Sequence, residues 1–442
     1  MDIPVLMREL VLLLVIASLV IAITRKLSVP YTLGLVVAGV GLGLSGWIPD
    51  LRLDPDLVLF VLLPPLLFEG AWSVKLSLLR ENWRAIFFLA GPGLLLSLGI
   101  LAVTFHFFDG LDWIVALLLA AALSPTDPVA VLGLFRQLHV NERLSNIIEG
   151  ESLFNDGVAG SLYQTFLAVA LLTVQGKSGG VAWFSSIGTF ALEAGVGLLV
   201  GLLVGFGISQ LLRRLDDALL ETTITVVTAY GTYLLADELH GSGIIAVIVT
   251  ALLLGNYGQR VALSQRTKAA IDSFWTMIAF LANALIFLLV GVQLNPQAFL
   301  PTTSVGLPSW IIALLAIGFV LLARLILVGV LTVRNWVAFP RRNTSRCTHQ
   351  PLPRSWLFII FWSGLRGALS LALVQSLPLD FPRRDVLLVS CYAVVLFTLL
   401  VQGLSMRWIL QPLLTPAHRP KEPPTEEVDE RVIVEEEQES PA

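Results

Sequence analysis

The ionisable residues inside long apolar segments are the ones whose type and spacing suit them for chemistry. Asp127 stands between two prolines in the run Ser124-Pro125-Thr126-Asp127-Pro128. Each proline lacks a backbone donor and clashes with the carbonyl group four residues earlier, so the pair predicts a break in any helix formed here. A break exposes carbonyl oxygens and a helix N-terminus beside the carboxylate, which are groups that can hold a small ion away from water.

A second acidic segment follows in the next apolar region, Gly150-Glu151-Ser152-Leu153-Phe154-Asn155-Asp156. Ser152 and Asp156 are four residues apart and share one helix face, and Glu151 and Asn155 share the adjacent face. An ionisable side chain in the hydrocarbon layer costs at least about 2.5–3.5 kcal/mol. Packing alone therefore does not explain these carboxylates, and function is expected where they lie.

Asp127 and Asp156 are predicted to lie at similar depth. Their segments run in opposite directions, and each residue is 12 to 14 residues from the entry of its segment. At about 1.5 Å per residue, both carboxylates are roughly 18–21 Å deep from opposite surfaces. They can therefore meet near the middle of a bilayer.

Two arginines are expected near this depth, in Leu322-Ala323-Arg324 and in Gly364-Leu365-Arg366-Gly367-Ala368. The glycines around Arg366 predict a second helix break. A buried guanidinium needs a carboxylate or several carbonyl oxygens. Glu151 is the expected partner of Arg324, and Arg366 is expected at the carbonyl ends of the broken helices. A purely architectural ion pair is the alternative role for both.

The composition identifies the elements that must position these residues as membrane spans. Of 442 residues, 56% are hydrophobic and 14% are charged, and the mean hydropathy is +0.83. A soluble domain has roughly 25% charged residues. Disorder, a coiled coil and a nucleic-acid-binding surface are excluded for the chain as a whole. Two cysteines and five scattered histidines give no disulfide framework and no metal-site spacing.

We predict an all-α polytopic membrane protein with about 13 transmembrane helices in two inverted repeats, in which the broken spans five and twelve cross each other. The first apolar run lacks a basic start and a cleavage site, so it is expected to be retained as a span. The predicted spans are 5–24, 31–46, 55–72, 83–107, 113–138, 144–175, 186–212, 219–236, 243–257, 267–294, 308–333, 356–377 and 386–411.

Loop charge predicts the orientation of these spans. Of the 28 Lys and Arg residues, 21 fall on one side of the membrane and 5 on the other. Because cytoplasmic loops collect basic residues, the N-terminus is expected outside and the C-terminus in the cytoplasm. Residues 1–414 form the predicted transmembrane domain. Residues 415–442 contain prolines and then many glutamates, and they are expected to form a disordered cytoplasmic tail.

These motifs, together with Phe68-Glu69-Gly70-Ala71, resemble the monovalent cation:proton antiporters, in the branch that holds the NhaP-type sodium/proton exchangers. The similarity extends over nearly the whole chain except the tail. It implies a homodimer in which a six-helix ion-translocating domain moves against a dimerisation domain. It also implies that Na⁺ binds to Asp127, Ser152, Asp156 and the Thr126 carbonyl oxygen, with Glu151 contributing through water, and that Asn155, Arg324 and Arg366 support this site.

The implied function is exchange of Na⁺ or Li⁺ for H⁺ by alternating access, serving pH homeostasis in the cell (inner) membrane. Asn155 stands where the electrogenic branch has a second aspartate, which indicates electroneutral one-for-one exchange. No phosphate-binding GxxxxGK[ST] motif is present, and no cofactor is expected besides the transported ions. A K⁺/H⁺ antiporter of the same fold and a passive cation channel are alternatives. An intramembrane hydrolase using Ser152 is disfavoured, because no His or Lys base lies at that depth.

Overall fold

A computed structural model describes residues 3–27, 30–45, 57–174, 181–261, 263–293, 302–338, 352–378 and 380–413. The predicted tail, 415–442, lies outside these residues. Within the described ranges the secondary structure is helical, apart from an isolated bridge between Thr302 and Pro308. The predicted all-α class is therefore confirmed for the part of the chain that is described.

The helices follow the predicted spans closely along the chain. Among the described residues, π-helical turns adjoin the α-helices at Leu57–Leu62, Leu254–Gly258 and Thr398–Gly403. The α-helices are α1 (Ile3–Leu27), α2 (Tyr31–Ser45), α3 (Leu63–Ser73), α4 (Leu76–Ala90), α5 (Pro92–Asp109), α6 (Trp113–Leu123), α7 (Val129–Gln137), α8 (Glu142–Val174), α9 (Val181–Leu212), α10 (Ala218–Glu238), α11 (Gly243–Leu253), α12 (Gln259–Val261), α13 (Gln265–Gln293), α14 (Ser309–Ala338), α15 (Arg354–Trp362), α16 (Ala368–Gln375), α17 (Arg384–Phe397) and α18 (Leu404–Leu413).

Seven helical segments in the described ranges are long and apolar enough to cross a membrane. The other predicted spans also overlap helices, but several are divided into short pieces. The helix α6 has 11 residues, α7 and α15 have 9 each, and α16 has 8. At about 1.5 Å per residue none of these four pieces spans about 30 Å alone. Their short lengths follow from the breaks that the prolines and glycines predict.

The fourth predicted span, 83–107, is longer and more divided than expected. It begins at Leu76, and Gly91 separates α4 from α5, which starts at Pro92. Proline cannot donate to the carbonyl four residues earlier, so the helix bends where Gly91 supplies a permissive backbone. The dipeptide Gly-Pro is a local signal for this bend that the hydrophobic pattern alone does not contain.

The helices α2 and α13 pack closely because glycines face each other. A Cβ on Gly39 would lie 2.8 Å from the Cα of Gly291, and a Cβ on Gly291 would overlap the carbonyl oxygen of Val36. Only residues without a side chain allow two backbones to approach this closely. This contact fixes the position of α13, which forms one wall of the cavity described below.

The helix α6 is apolar on all its faces, and its residues from Ile114 to Leu123 are almost all buried. A helix that is apolar all round belongs inside a bundle. The helix α9 has the opposite character. Only 22% of its most apolar 18-residue stretch is buried, and Leu192, Leu199 and Leu203 are exposed. The break that follows α6 is thus surrounded by protein, whereas α9 lies at the periphery.

Candidate ion-binding site

Two helix breaks meet in the interior of the protein. Residues 124–128 separate α6 from α7, and residues 363–367 separate α15 from α16. The backbone N–H of Asp127 donates a hydrogen bond to the carbonyl oxygen of Leu365 at 2.8 Å. A backbone N–H group of one break therefore finds its hydrogen-bond acceptor in the other break. Non-helical backbone needs such a partner where water is excluded.

Arg366 neutralises the carbonyl end of α6. Its side chain is buried and donates to the carbonyl oxygens of Ser124 and, at 2.8 Å, of Pro125. Its backbone N–H donates to Oγ1 of Thr398 at 3.1 Å, in the π-helical turn after α17. The last carbonyl groups of a helix have partial negative charge, so a guanidinium stabilises them. This is the contact that the glycine-flanked arginine predicts.

Glu151 and Arg324 form a buried ion pair between α8 and α14. The Arg324 guanidinium contacts both carboxylate oxygens, with Nη2 and Oε2 3.1 Å apart, and also donates to the Ile360 carbonyl oxygen at 2.8 Å. The two residues are 1% and 4% exposed. A two-pronged Arg–carboxylate contact fixes both side chains. The predicted pairing is present, and Glu151 is not among the residues that line the cavity described below.

Polar side chains of α8 hold Thr126 in the first break. Nδ2 of Asn155 donates to Oγ1 of Thr126 at 3.0 Å, and the backbone N–H of Thr126 points to Oδ1 of Asn155 at 3.5 Å. The hydroxyl of Ser152 donates to the Thr126 carbonyl oxygen. All three residues are buried. Asn155 therefore contacts both the side chain and the backbone of Thr126, and Thr126 and Ser152 line the cavity described next.

A cavity of about 610 Å³ connects the two predicted carboxylate ligands. Asp127 and Asp156 both line it, together with Thr126 and Ser152. One carboxylate oxygen of Asp127 accepts the backbone N–H of Val129 at 3.1 Å, which holds it at the start of α7. The structure thus places four of the predicted ligand residues around one cavity: two with carboxylates, Asp127 and Asp156, and two that were predicted to supply a carbonyl or hydroxyl oxygen, Thr126 and Ser152.

The cavity is also lined by Arg25, near the C-terminal end of α1, and Arg136, near the C-terminal end of α7. Glu69 and Glu149 line the same cavity, and Glu149 accepts a hydrogen bond from Ser73 at 3.2 Å. Sequence reasoning identified Glu69 only as part of a motif and not as a site residue. The available signal was a carboxylate well inside the predicted span 55–72, whose other acidic residue, Asp56, stands at its start.

The helix α13 also lines the cavity, with Thr276 and Asn283. The second break contributes Gly367 and Ser370. A Cβ on Gly367 would overlap the carboxylate of Asp127, so the backbone of the second break touches the carboxylate of the first. Gly367 was predicted as part of the second break but not as a residue of the site. Thr276, Asn283 and Ser370 were not predicted, because an isolated small polar residue in an apolar helix has no distinctive pattern.

Half-buried carboxylates beside the meeting point of two interrupted helices, in a helical membrane protein, are typical of secondary ion transporters. The profile of the family described as "Sodium/hydrogen exchanger, transmembrane" matches residues 12–411. The chain therefore belongs to the sodium/hydrogen exchanger family.

Curated relatives agree with this assignment. The Na⁺/H⁺ antiporter ApNhaP of Aphanothece halophytica is 38% identical over 388 residues, which cover 87% of this chain and 70% of the relative. The low-affinity Na⁺/H⁺ antiporter NhaS1 of Synechocystis is 36% identical over 400 residues, covering 90% and 71%. The solved structure of the sodium proton antiporter MjNhaP1 from Methanocaldococcus jannaschii is similar in fold, with a TM-score of 0.74 at 20% identity and coverage of 92% and 98%.

Proposed function

We propose that this protein is a secondary transporter, and not an enzyme, that exchanges Na⁺ or Li⁺ for H⁺ across a membrane in a one-for-one, electroneutral cycle. The observation that supports this most strongly is that Asp127 and Asp156 line one cavity beside the meeting point of two helix breaks. The relatives named as Na⁺/H⁺ antiporters support the choice of ions.

The exchange follows from competition between a cation and a proton at the same carboxylates. Two carboxylates close together in a partly dehydrated site cannot both remain charged without a counter-ion. Either Na⁺ or a proton supplies the missing positive charge, and each excludes the other. If the site crosses the membrane only when it is occupied, the two fluxes are coupled and one gradient drives the other.

Each residue of the site has a separate proposed role. Asp127 and Asp156 bind the cation or the proton, and the Thr126 carbonyl oxygen and the Ser152 hydroxyl complete a set of hard oxygen ligands. Asn155 keeps Thr126 in place. Glu151 with Arg324, and Arg366 with the end of α6, stabilise the core behind the site.

We further infer the larger architecture from the predicted topology and the family. It comprises 13 spans in two inverted repeats, with the broken fifth and twelfth spans crossed, and a homodimer in the cell membrane. The N-terminus is outside, the C-terminus is cytoplasmic, and residues 1–414 form the transmembrane domain ahead of an acidic tail. The peripheral apolar helix α9 suits either lipid or a second protomer.

The test is a flux assay with the purified protein in liposomes that have an acidic interior. Na⁺, Li⁺, K⁺ and Ca²⁺ are added outside in turn, and proton efflux is recorded by fluorescence dequenching. The proposal predicts efflux with Na⁺ and Li⁺, unchanged by an imposed membrane voltage. Efflux with K⁺ alone indicates the K⁺/H⁺ alternative, and Na⁺ flux without proton movement indicates a channel.

A further inference from the structure

Ser370 in α16 differs from the other serines near the two breaks. Its side chain is 1% exposed, and its hydroxyl has no hydrogen-bond partner among the described residues. By contrast, Ser152 donates to the Thr126 carbonyl oxygen, and Ser376 donates to the Leu373 carbonyl oxygen at 2.7 Å. An unpartnered buried hydroxyl is costly in a folded protein, so this one requires an explanation.

The position of Ser370 in its helix explains why the hydroxyl is free. A serine inside a helix commonly donates to the carbonyl oxygen three or four residues earlier. For Ser370 those carbonyl groups belong to Gly367 and Arg366, which lie in the break before α16. Gly367 has an extended backbone, with φ −124° and ψ −157°, and the Arg366 carbonyl oxygen accepts a hydrogen bond from Oγ1 of Thr398 at 3.4 Å. Ser370 makes neither of the usual bonds.

The hydroxyl lies on the side of α16 that faces the carboxylates. Ser370 lies in the first turn of α16, three residues after Gly367, which immediately precedes this helix. Gly367 touches the Asp127 carboxylate, and Cα–Cβ bonds tilt toward the start of their helix, which here is the break. Ser370 lines the same cavity as Asp127 and Asp156.

We propose that Ser370 is a further ligand of the transported cation, contributed by the second broken helix, and that it helps to select small cations. The inference rests on the proposed exchange function and adds a residue to its binding site. A hydroxyl oxygen is a hard ligand that suits Na⁺ and Li⁺. Because the hydroxyl is buried, only an ion that has lost water on that side can reach it.

As a ligand, Ser370 would also connect the bound cation to the second broken helix. The ligands from α8 and the first break, namely Asp127, Thr126, Ser152 and Asp156, lie on one side of the ion. Ser370 adds an oxygen from α16, which packs against α6, α8, α13 and α17. A bound cation then joins both broken helices, whereas a proton on one carboxylate does not need the serine.

The experiment compares Ser370→Ala with a matched control, Ser390→Ala. Ser390 in α17 is 0% exposed and its hydroxyl is likewise unpartnered within the described residues, but it does not line the cavity. In proteoliposomes, Ser370→Ala is expected to raise the half-saturating Na⁺ concentration by about tenfold, the loss of one ligand contact. Its maximal rate should stay within about twofold of wild type, and Ser390→Ala should match wild type in both values.

A binding measurement makes the inference independent of transport. Thermal melts in detergent, with Na⁺ replaced by choline as reference, report cation binding as a rise in melting temperature. Ser370→Ala should need about tenfold more Na⁺ for the same rise. If Ser370→Ala fails to fold, Ser370→Cys preserves the volume and replaces the hard oxygen with a soft sulfur, with the same expected loss.

The outcomes separate the two proposals. Na⁺ affinities of Ser370→Ala or Ser370→Cys equal to wild type, or equal losses in Ser390→Ala, overturn the role of Ser370 while leaving exchange intact. If wild type exchanges no Na⁺ for H⁺, the proposed function fails, and the melts still decide whether Ser370 contributes to a Na⁺ site.

Discussion

Asp127 and Leu365 are joined by a backbone hydrogen bond of 2.8 Å, from the N–H of the first to the carbonyl oxygen of the second. They belong to different helix breaks, so this bond connects two interrupted helices at the level of the carboxylates. The shape of the site therefore depends on both breaks. Substitutions in the second break should change ion binding even where the substituted residue has no oxygen ligand of its own.

Gly367→Ala tests this dependence on the second break. The added methyl group would overlap the Asp127 carboxylate and displace it from the cavity. We expect Na⁺-dependent proton efflux in proteoliposomes to fall at least about tenfold. The matched control is Gly99→Ala in α5, where a Cβ meets nothing within 4 Å and exchange should be unchanged. Equal activity of Gly367→Ala and wild type would show that the contact does not matter.

Asp156→Asn removes the negative charge that the proposed competition requires. The variant should lose all measurable exchange and keep its fold, because the amide occupies the same volume. Proton efflux from liposomes measures the loss, and a melting temperature within about 2 °C of wild type in detergent establishes the fold. Sodium-dependent proton flux that persists in this variant is incompatible with the proposed role of Asp156.

Glu151→Gln should destabilise the protein more than Asp127→Asn does. The substitution leaves the buried guanidinium of Arg324 without its counter-charge, and breaking such a pair costs about 3–5 kcal/mol. Asp127 lines the cavity, where its neutral amide can still be solvated. Thermal melts of both variants in the same detergent decide the order. A lower melting temperature for Asp127→Asn would mean that the Glu151–Arg324 pair is not the more important stabilising contact.

Gly291→Ala should separate α2 from α13. The new Cβ would overlap the Val36 carbonyl oxygen, and relieving that overlap by moving backbone costs about 1–3 kcal/mol. The melting temperature in detergent should fall. Gly318→Ala in α14, where nothing lies within 4 Å of the added atom, should melt like wild type. Identical melts of the two variants would rule out a close-packing role for Gly291.

The sequence predicts the breaks because proline and glycine act locally. Pro125 and Pro128 disrupt a helix wherever it lies, and glycines on both sides of Arg366 do the same. The partner of Arg324 was also predictable, because a buried guanidinium leaves few options and Glu151 was a suitable carboxylate. These features depend on residue chemistry more than on the arrangement of distant helices.

The remaining site residues depend on tertiary packing, which hydrophobic patterns do not encode. Ser370 and Asn283 are small polar residues in apolar helices, and nothing in their spacing says that they face Asp127. Glu69 was visible as a carboxylate well inside a predicted span, but its place in the same cavity follows from how α3 packs on the core. The contribution of Glu151 to ion binding stays a prediction, since Glu151 pairs with Arg324 and is not among the residues that line the cavity.

The central claim is that a cation and a proton compete for one site formed by Asp127 and Asp156. The most direct test measures the half-saturating Na⁺ concentration of wild-type exchange in proteoliposomes at several pH values. One-for-one competition predicts that it rises about tenfold for each unit of pH decrease in the acidic range, while the maximal rate stays constant. A half-saturating concentration that does not change with pH would contradict competition at a shared site.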